Sequence, residues 1–432
     1  MSVVSGWTQA AADRHPDRVA VESPERSLTY AELRDAALAA AAGLKGARRV
    51  AIALPAGADF VIAVHASLEA GAAVVPIDLR LSRAEQERRH AGADVVVSEP
   101  LPMGPARTGP LPIRTVGEPP SVAGDRAVAV MHTSGTTAAP KPVVLSEANF
   151  LASALGSAVA LGLDPGERWL CPMPLTHVGG LSIPIRSAIY ATTAVLHGRF
   201  DTEAVLAELM DPARRITLVS LVPTMLARLL DAGLQRPPTL RWALLGGGPI
   251  AAALLERAAA AGVPVAPTYG MTEACSQIAT HGWPLPGVEL RTDEDGEVLV
   301  RGPIVSAGAV GGDGWLHTGD LGRFDSRNRL HITGRKADTI VTGGENVAPA
   351  EVEAVLLEHP GVADAAVHPR ADPEWGEAVA ATVVLRDGIS VAPDELRAHC
   401  AARLAGFKVP KTVEFADELP RTGSGKLLRR EL

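Results

Sequence analysis

Two runs of small and hydroxylated residues, each ending on a lysine, hold the groups best suited to phosphate chemistry: TSGTTAAPK at 133–141 and PRTGSGK at 420–426. In the first, Thr133, Ser134, Gly135, Thr136 and Thr137 offer hydroxyls and unobstructed peptide N–H groups to phosphate oxygens, and Lys141 adds a point charge. It differs from a Walker A loop, G-x-x-x-x-G-K-[ST], at the second glycine and at the residue after the lysine. The second run reads as a flexible, glycine-flanked segment able to carry the ammonium of Lys426 into a site built by another part of the chain. Lysine is scarce: Lys45, Lys141, Lys336, Lys408, Lys411 and Lys426 are the whole set, and two of them end these runs. The pair suggests ATP chemistry that needs a closing motion.

Such groups need a scaffold, and the chain has the length for one. With 432 residues it suits one large domain plus a small one. From residue 31 to about 265, amphipathic stretches such as 31–44 and 58–70 alternate with short apolar runs at 74–77, 94–97, 127–131, 216–222 and 242–246. That alternation predicts an α/β fold with mostly parallel sheets layered with helices. After residue 286, GVEL, GEVLV and RLHIT between Gly and Asp predict a small antiparallel β region. Beyond it the pattern predicts helices near 349–358 and 393–404 and strands near 363–368 and 378–385, enough for a small mobile α+β lid. The expected domains are therefore 1–334 and 335–432, with the Pro-rich stretch 100–120 a surface connection.

Composition narrows the partners. The formal net charge of -8 leaves no basic face for nucleic acid, so an anionic ligand must be held by local groups. No run reaches the roughly 18 apolar residues of a membrane helix. The N-terminal stretch MSVVSGWTQAAADRHPD predicts no secretory signal. Cys171, Cys275 and Cys400 are too few and scattered for a disulfide framework or zinc site, which fits a reducing cytoplasm.

In order along the chain come PLTHVGG at 174–180, LLGGGP at 244–249, TYGMTE at 268–273, HTGDLGRFD at 317–325 and GRKADTIVTGGENVAPAEVE at 334–353. With the two lysine runs, this series resembles the acyl-adenylate-forming (AMP-binding) superfamily over nearly the whole chain. The resemblance implies that Thr133 to Thr137 and Lys141 cover the β- and γ-phosphates of ATP. Gly246, Gly247 and Gly248 would let adenine and the acyl group lie against backbone, Tyr269 would stack near the adenine, and Thr272 would touch the α-phosphate. Glu273 would hold Mg²⁺, Asp320 and Arg335 would meet the ribose, and Lys426 would bridge substrate carboxylate and α-phosphate. A rotating small domain would bring Lys426 to the site for adenylation and the Gly343–Gly344 loop for transfer to CoA. Homodimers are common in the superfamily. Read one at a time, the same residues have plainer explanations: a glycine loop, a turn aspartate, a core tyrosine.

The acyl pocket is most similar to that of the o-succinylbenzoate-CoA ligases of menaquinone biosynthesis, through 174–201, 244–250 and 269–278. An aromatic dicarboxylate leaves one carboxylate free, and Arg186, in an otherwise uncharged run, would grip it; the alternative for Arg186 is an interhelical salt bridge. His177, Ser182 and Gly247 are further expected pocket residues. A ligase for another aryl or medium-chain acid stays open, as does a nucleotide-binding relative with impaired catalysis. The latter is motivated by Ala138 and Pro142 in the phosphate loop, where relatives carry other residues; Ala337 at the hinge is a further departure, which would bear on the rate of rotation.

Overall fold

The computed structural model describes residues 4–102, 126–133, 141–421 and 427–432. Ser134, Gly135, Thr136, Thr137, Ala138, Lys426 and most of the Pro-rich stretch lie outside the described residues.

The mostly parallel strands divide between two sheets. Five strands run in the order Val95–Val97, Arg49–Ile52, Ala73–Pro76, Ala127–Thr133 and Lys141–Ser146. All are parallel except the last pair, in which Thr133 faces Lys141 in register. The second sheet has nine strands. Its centre, from Val265–Met271 through Trp242–Leu245, Leu218–Leu221, Arg168–Cys171 and Thr193–Leu196 to Val19–Glu22, is parallel, with antiparallel strands at both ends. Each half has its own run of β–helix–β units, and the sequence pattern does not say which strands share a ladder.

The two sheets share a core through the helices between them. Val21, Trp169 and Ala194 of the nine-stranded sheet and Val50, Ile52 and Val74 of the five-stranded one belong to one buried cluster with the helices Tyr30–Ala41, Ala58–Ala70 and Val178–Tyr190. A helix covered on every side must be apolar all round. ADFVIAVHASLEA at 58–70, expected to be amphipathic, is apolar over most of its surface instead: Phe60, Val61, Ile62, Val64 and Leu68 are at most 2% exposed, each contributing roughly 1.5–3 kcal/mol by burial, and only Asp59, Glu69 and Ala70 near its ends are partly exposed. Gly71, at φ +93°, ends it by returning its N–H to the Ser67 and Leu68 carbonyls.

His65 and Ser67 are the buried polar residues of this helix, and the Ser67 hydroxyl returns to the Ala63 carbonyl at 2.7 Å. The His65 Nδ1 meets Thr8 Oγ1 at 2.9 Å, its Nε2 has no partner among the described residues, and burial pushes the imidazole down to about 4. The unfolded chain therefore binds more protons than the folded one between pH 6.5 and 4, so this histidine makes stability fall as pH drops through that window. The expected loss by pH 4 is up to about 3 kcal/mol. Denaturant melts of His65→Gln should have a flatter pH dependence there than the parent.

After residue 286 the chain forms the antiparallel meander Glu289–Thr292, Glu297–Arg301, Leu316–Phe324 and Leu330–Arg335. A separate sheet follows, built on the long hairpin Val362–Asp372 and Gly376–Leu385, with Ile340–Thr342 and Glu345–Val347 at one side and Thr412–Phe415 joined in parallel. The helices Pro349–Leu357 and Pro393–Ala401 contribute Val352, Leu356 and Leu396 to its own core. The expected boundary at Gly334 falls one residue before the meander ends.

Candidate active site

The motif residues collect at the carboxyl ends of the parallel strands, where α/β sheets hold ligands. Gly246 follows Trp242–Leu245, Tyr269 lies near the end of Val265–Met271, and His177 follows Arg168–Cys171. The glycines are not equivalent. A Cβ at Gly246 would stand 2.7 Å from Thr268 Cγ2 and 2.9 Å from its carbonyl oxygen, and Gly247 has φ +81°. Both positions exclude side chains. Gly248 is exposed and meets nothing nearer than Pro223 at 3.9 Å.

Tyr269, Asp320 and Arg335 form one cluster. The Tyr269 hydroxyl donates to Asp320 Oδ2 at 2.8 Å, and Arg335 Nε lies 2.9 Å from Oδ1. Burial first, then the Asp320 charge, push the phenol well above its usual range, so it stays a donor. Asp320 is 5% exposed, held in place by its own N–H bond to Thr318 Oγ1 at 3.1 Å.

Thr272 and Glu273 open a short helical turn, Thr272–Ala274. It leads into Cys275 and Ser276, both non-glycine residues at positive φ, +50° and +91°. Such a pair is strained and persists only when its surroundings hold it. Here Ser153 Oγ donates to the Cys275 carbonyl at 2.7 Å, and the Glu273 carbonyl accepts from Ser306 N at 2.8 Å. Among the described residues no hydrogen bond or ion pair reaches the Glu273 carboxylate, and no cluster of three His, Cys, Asp or Glu could cage a metal. One half-buried free carboxylate fits Mg²⁺ delivered with phosphates, since that ion keeps most of its water and takes one or two protein oxygens.

On the acyl side, His177 is the N-cap residue of the helix Val178–Tyr190 and supplies no side-chain cap. Gly180 is obligatory, because a Cβ there would fall 2.3 Å from the Pro174 carbonyl oxygen. Ser182 is fully buried and returns its hydroxyl to the Gly179 carbonyl at 3.2 Å, so it serves the helix turn. Arg186 is 1% exposed. One terminal nitrogen donates to Gln277 Oε1 at 2.9 Å and the other to Ser153 Oγ at 2.8 Å; its Cζ sits 5.8 Å from the centre of the Trp169 ring. Nε has no partner among the described residues, and desolvation pushes the guanidinium down. The interhelical salt bridge is absent among the described residues, replaced by two neutral acceptors. Gln277 and Ser153 were missed by the sequence reading, although Gln277 stands within a quoted motif.

Lys141 lies in an edge strand with Pro142 exposed beside it, paired in register with His132. A proline on an edge costs a sheet little, so Pro142 does not interrupt a ladder that another strand needs. In the small sheet, Gly343 and Gly344, at φ +58° and +84°, form the two-residue turn between Ile340–Thr342 and Glu345–Val347. Trp375 packs on that turn: its carbonyl accepts from Gly343 N at 2.9 Å, and a Cβ on Gly343 would lie 2.5 Å from its ring. This residue also went unassigned in the sequence. Around the Lys426 run, Arg421 and Leu427 form an antiparallel bridge, and Arg421 pairs with Asp364 at 2.6 Å.

Comparison with known proteins follows the same outline. The family model "AMP-binding enzyme" matches residues 8–309, and "AMP-binding enzyme C-terminal domain" matches 351–426. The chain is 39% identical to a 2-succinylbenzoate–CoA ligase of Bacillus licheniformis, over 99% of this chain and 98% of the relative. A Bacillus cereus relative of the same name is 36% identical over 100% and 98%. Among solved structures, o-succinylbenzoate CoA synthetase of Bacillus subtilis with the acyl-adenylate intermediate superposes with TM-score 0.84 at 34% identity, covering 98% of this chain and 97% of that one. The same enzyme with ATP and magnesium ion gives TM-score 0.86 at 34% identity, covering 99% and 98%. With both family models matched in order along a fold of this kind, the chain belongs to the AMP-binding enzymes.

Proposed function

We propose that this chain is an AMP-forming acid–thiol ligase that converts o-succinylbenzoate, ATP and CoA into o-succinylbenzoyl-CoA, AMP and diphosphate, a step of menaquinone biosynthesis. The observation that carries it is the 39% identity to a 2-succinylbenzoate–CoA ligase over 98% of that relative's length. The buried cation Arg186, with no carboxylate of the described residues beside it, supports a substrate that brings a second carboxylate of its own.

In the proposed mechanism the substrate carboxylate attacks the α-phosphorus and diphosphate leaves, giving the acyl-adenylate. The attack concentrates charge on the α-phosphate, which preorganised donors stabilise. Thr133, Ser134, Gly135, Thr136, Thr137 and Lys141 hold the outer phosphates. Tyr269, Asp320 and Arg335 fix the nucleoside against Gly246, Gly247 and Gly248, Thr272 orients the α-phosphate, and Lys426 bridges it to the acid. Glu273 would hold Mg²⁺, which neutralises phosphate charge when bound. The CoA thiolate then attacks the acyl carbon and AMP departs, with the turn at Gly343 and Gly344 facing this half-reaction and His177 beside the acyl group. Arg186 engages the free carboxylate; Ser182 shapes the helix that carries it. The proposed domains are 1–334 and 335–432, the second a mobile lid. The proposed setting is the cytoplasm, in keeping with three free, buried cysteines, and the proposed assembly a homodimer. No helix of the described residues is long and apolar enough to cross a membrane.

AMP release dependent on ATP and CoA, measured with o-succinylbenzoate beside benzoate, 4-phenylbutyrate and octanoate, tests this. Strong preference for the dicarboxylate is expected. Turnover of the monoacids instead would reassign the substrate, and no AMP from any acid would overturn the activity.

A further inference from the structure

We propose that Glu297 is a positioning residue for the ribose site, acting through the peptide of Gly319 to aim Asp320. The inference rests on Asp320 as the acceptor of ribose hydroxyls. Glu297 lies at the start of the strand Glu297–Arg301 and is only 7% exposed. Its Oε1 accepts from Gly319 N at 2.9 Å, while Oε2 takes Lys336 Nζ at 3.3 Å and stands 3.8 Å from His317 Nδ1. Lys336 is shared with Asp295 at 2.9 Å.

The backbone explains why a side chain is needed there. The pairing of the neighbouring strands is irregular between Glu297 and Leu299, and Gly319 has φ +70°. The Gly319 N–H bonds to the Glu297 carboxylate, and a charged acceptor makes the stronger bond. The next residue is Asp320, whose two oxygens are committed to Tyr269 and Arg335. The carboxylate of Glu297 therefore fixes the turn from one side while Thr318, donating to the Val298 carbonyl at 2.7 Å, fixes it from the other. Lys336, at the proposed domain boundary, compensates the buried charge. One carboxylate thus ties the ribose acceptor to the root of the hinge.

Calorimetry without acid substrate separates this role from general support of the sheet. Dissociation constants for Mg²⁺–ATP and Mg²⁺–2′,3′-dideoxy-ATP are measured for the parent, Glu297→Gln and Glu297→Ala. Glu297→Ala should weaken ATP about tenfold and dideoxy-ATP less than about twofold, because without ribose hydroxyls the aim of Asp320 no longer matters. Glu297→Gln keeps an acceptor for Gly319 and should stay within about threefold of the parent for ATP. Equal weakening of both nucleotides by Glu297→Ala, or a glutamine variant as impaired as alanine, would overturn the proposal. Since no acid takes part, the result is independent of which acid the enzyme activates.

Discussion

Arg186→Met should leave the protein as stable as the parent, or more so, while kcat/KM for o-succinylbenzoate falls about 100-fold, equivalent to about 2.7 kcal/mol. The two halves of this expectation have one origin. Arg186 is a fully buried cation whose partners, Gln277 and Ser153, are neutral, and whose Nε has no partner among the described residues. Taking a charge out of water costs several kcal/mol, and two neutral hydrogen bonds return only part of it. Methionine fills much of the same volume without that cost. A substrate carboxylate reverses the balance, since a charge-assisted pair is roughly twice as strong as a neutral one and can displace an amide oxygen from the fork. Benzoate, lacking the second carboxylate, should lose little in the variant. Thermal melts beside kinetics on the two acids decide the matter: equal loss with both acids would make Arg186 an element of the core alone.

The sequence was informative about this site to different depths. Residue types whose role depends on local backbone were legible: Gly246 and Gly247 exclude side chains, and the Gly343–Gly344 turn has positive φ at both residues. Helix 58–70 has the bounds expected from the sequence, but it is buried over most of its surface where an amphipathic helix was expected, because a second sheet covers the face that one sheet would leave to water. What the pattern could not carry was partnership across elements. Arg186 meets Gln277, 91 positions away, and Asp320 meets Tyr269, 51 away; these pairs depend on which strands stack, and the division into two sheets was not visible in strand spacing. Glu297 and Trp375 were missed for a similar reason. Each looks like an ordinary strand or loop residue until the close approach of Gly319 or Gly343 gives it a task.

Lys426→Ala should abolish adenylate formation and leave thioester formation from supplied acyl-adenylate within about threefold of the parent. The first loss is expected at about 10²–10³-fold, the effect of removing one preorganised donor from a developing oxyanion. The charge is needed in one half-reaction only. During adenylation the α-phosphate gains charge between two anionic reactants, so an ammonium that bridges them stabilises the transition state more than the ground state. During transfer the nucleophile is a thiolate and the leaving group is AMP, and the proposed rotation has brought the Gly343–Gly344 turn to the acyl group in place of Lys426. The residues on either side of the segment are fastened to the small sheet and its helix, Arg421 to Asp364 and Arg429 to Asp338 and Glu353, so the proposed rotation would carry the lysine with it. Diphosphate release without CoA measures the first half-reaction, and AMP release from synthetic adenylate plus CoA measures the second. A comparable loss in both would remove the division of labour between the two segments, and with it the reason for a moving domain.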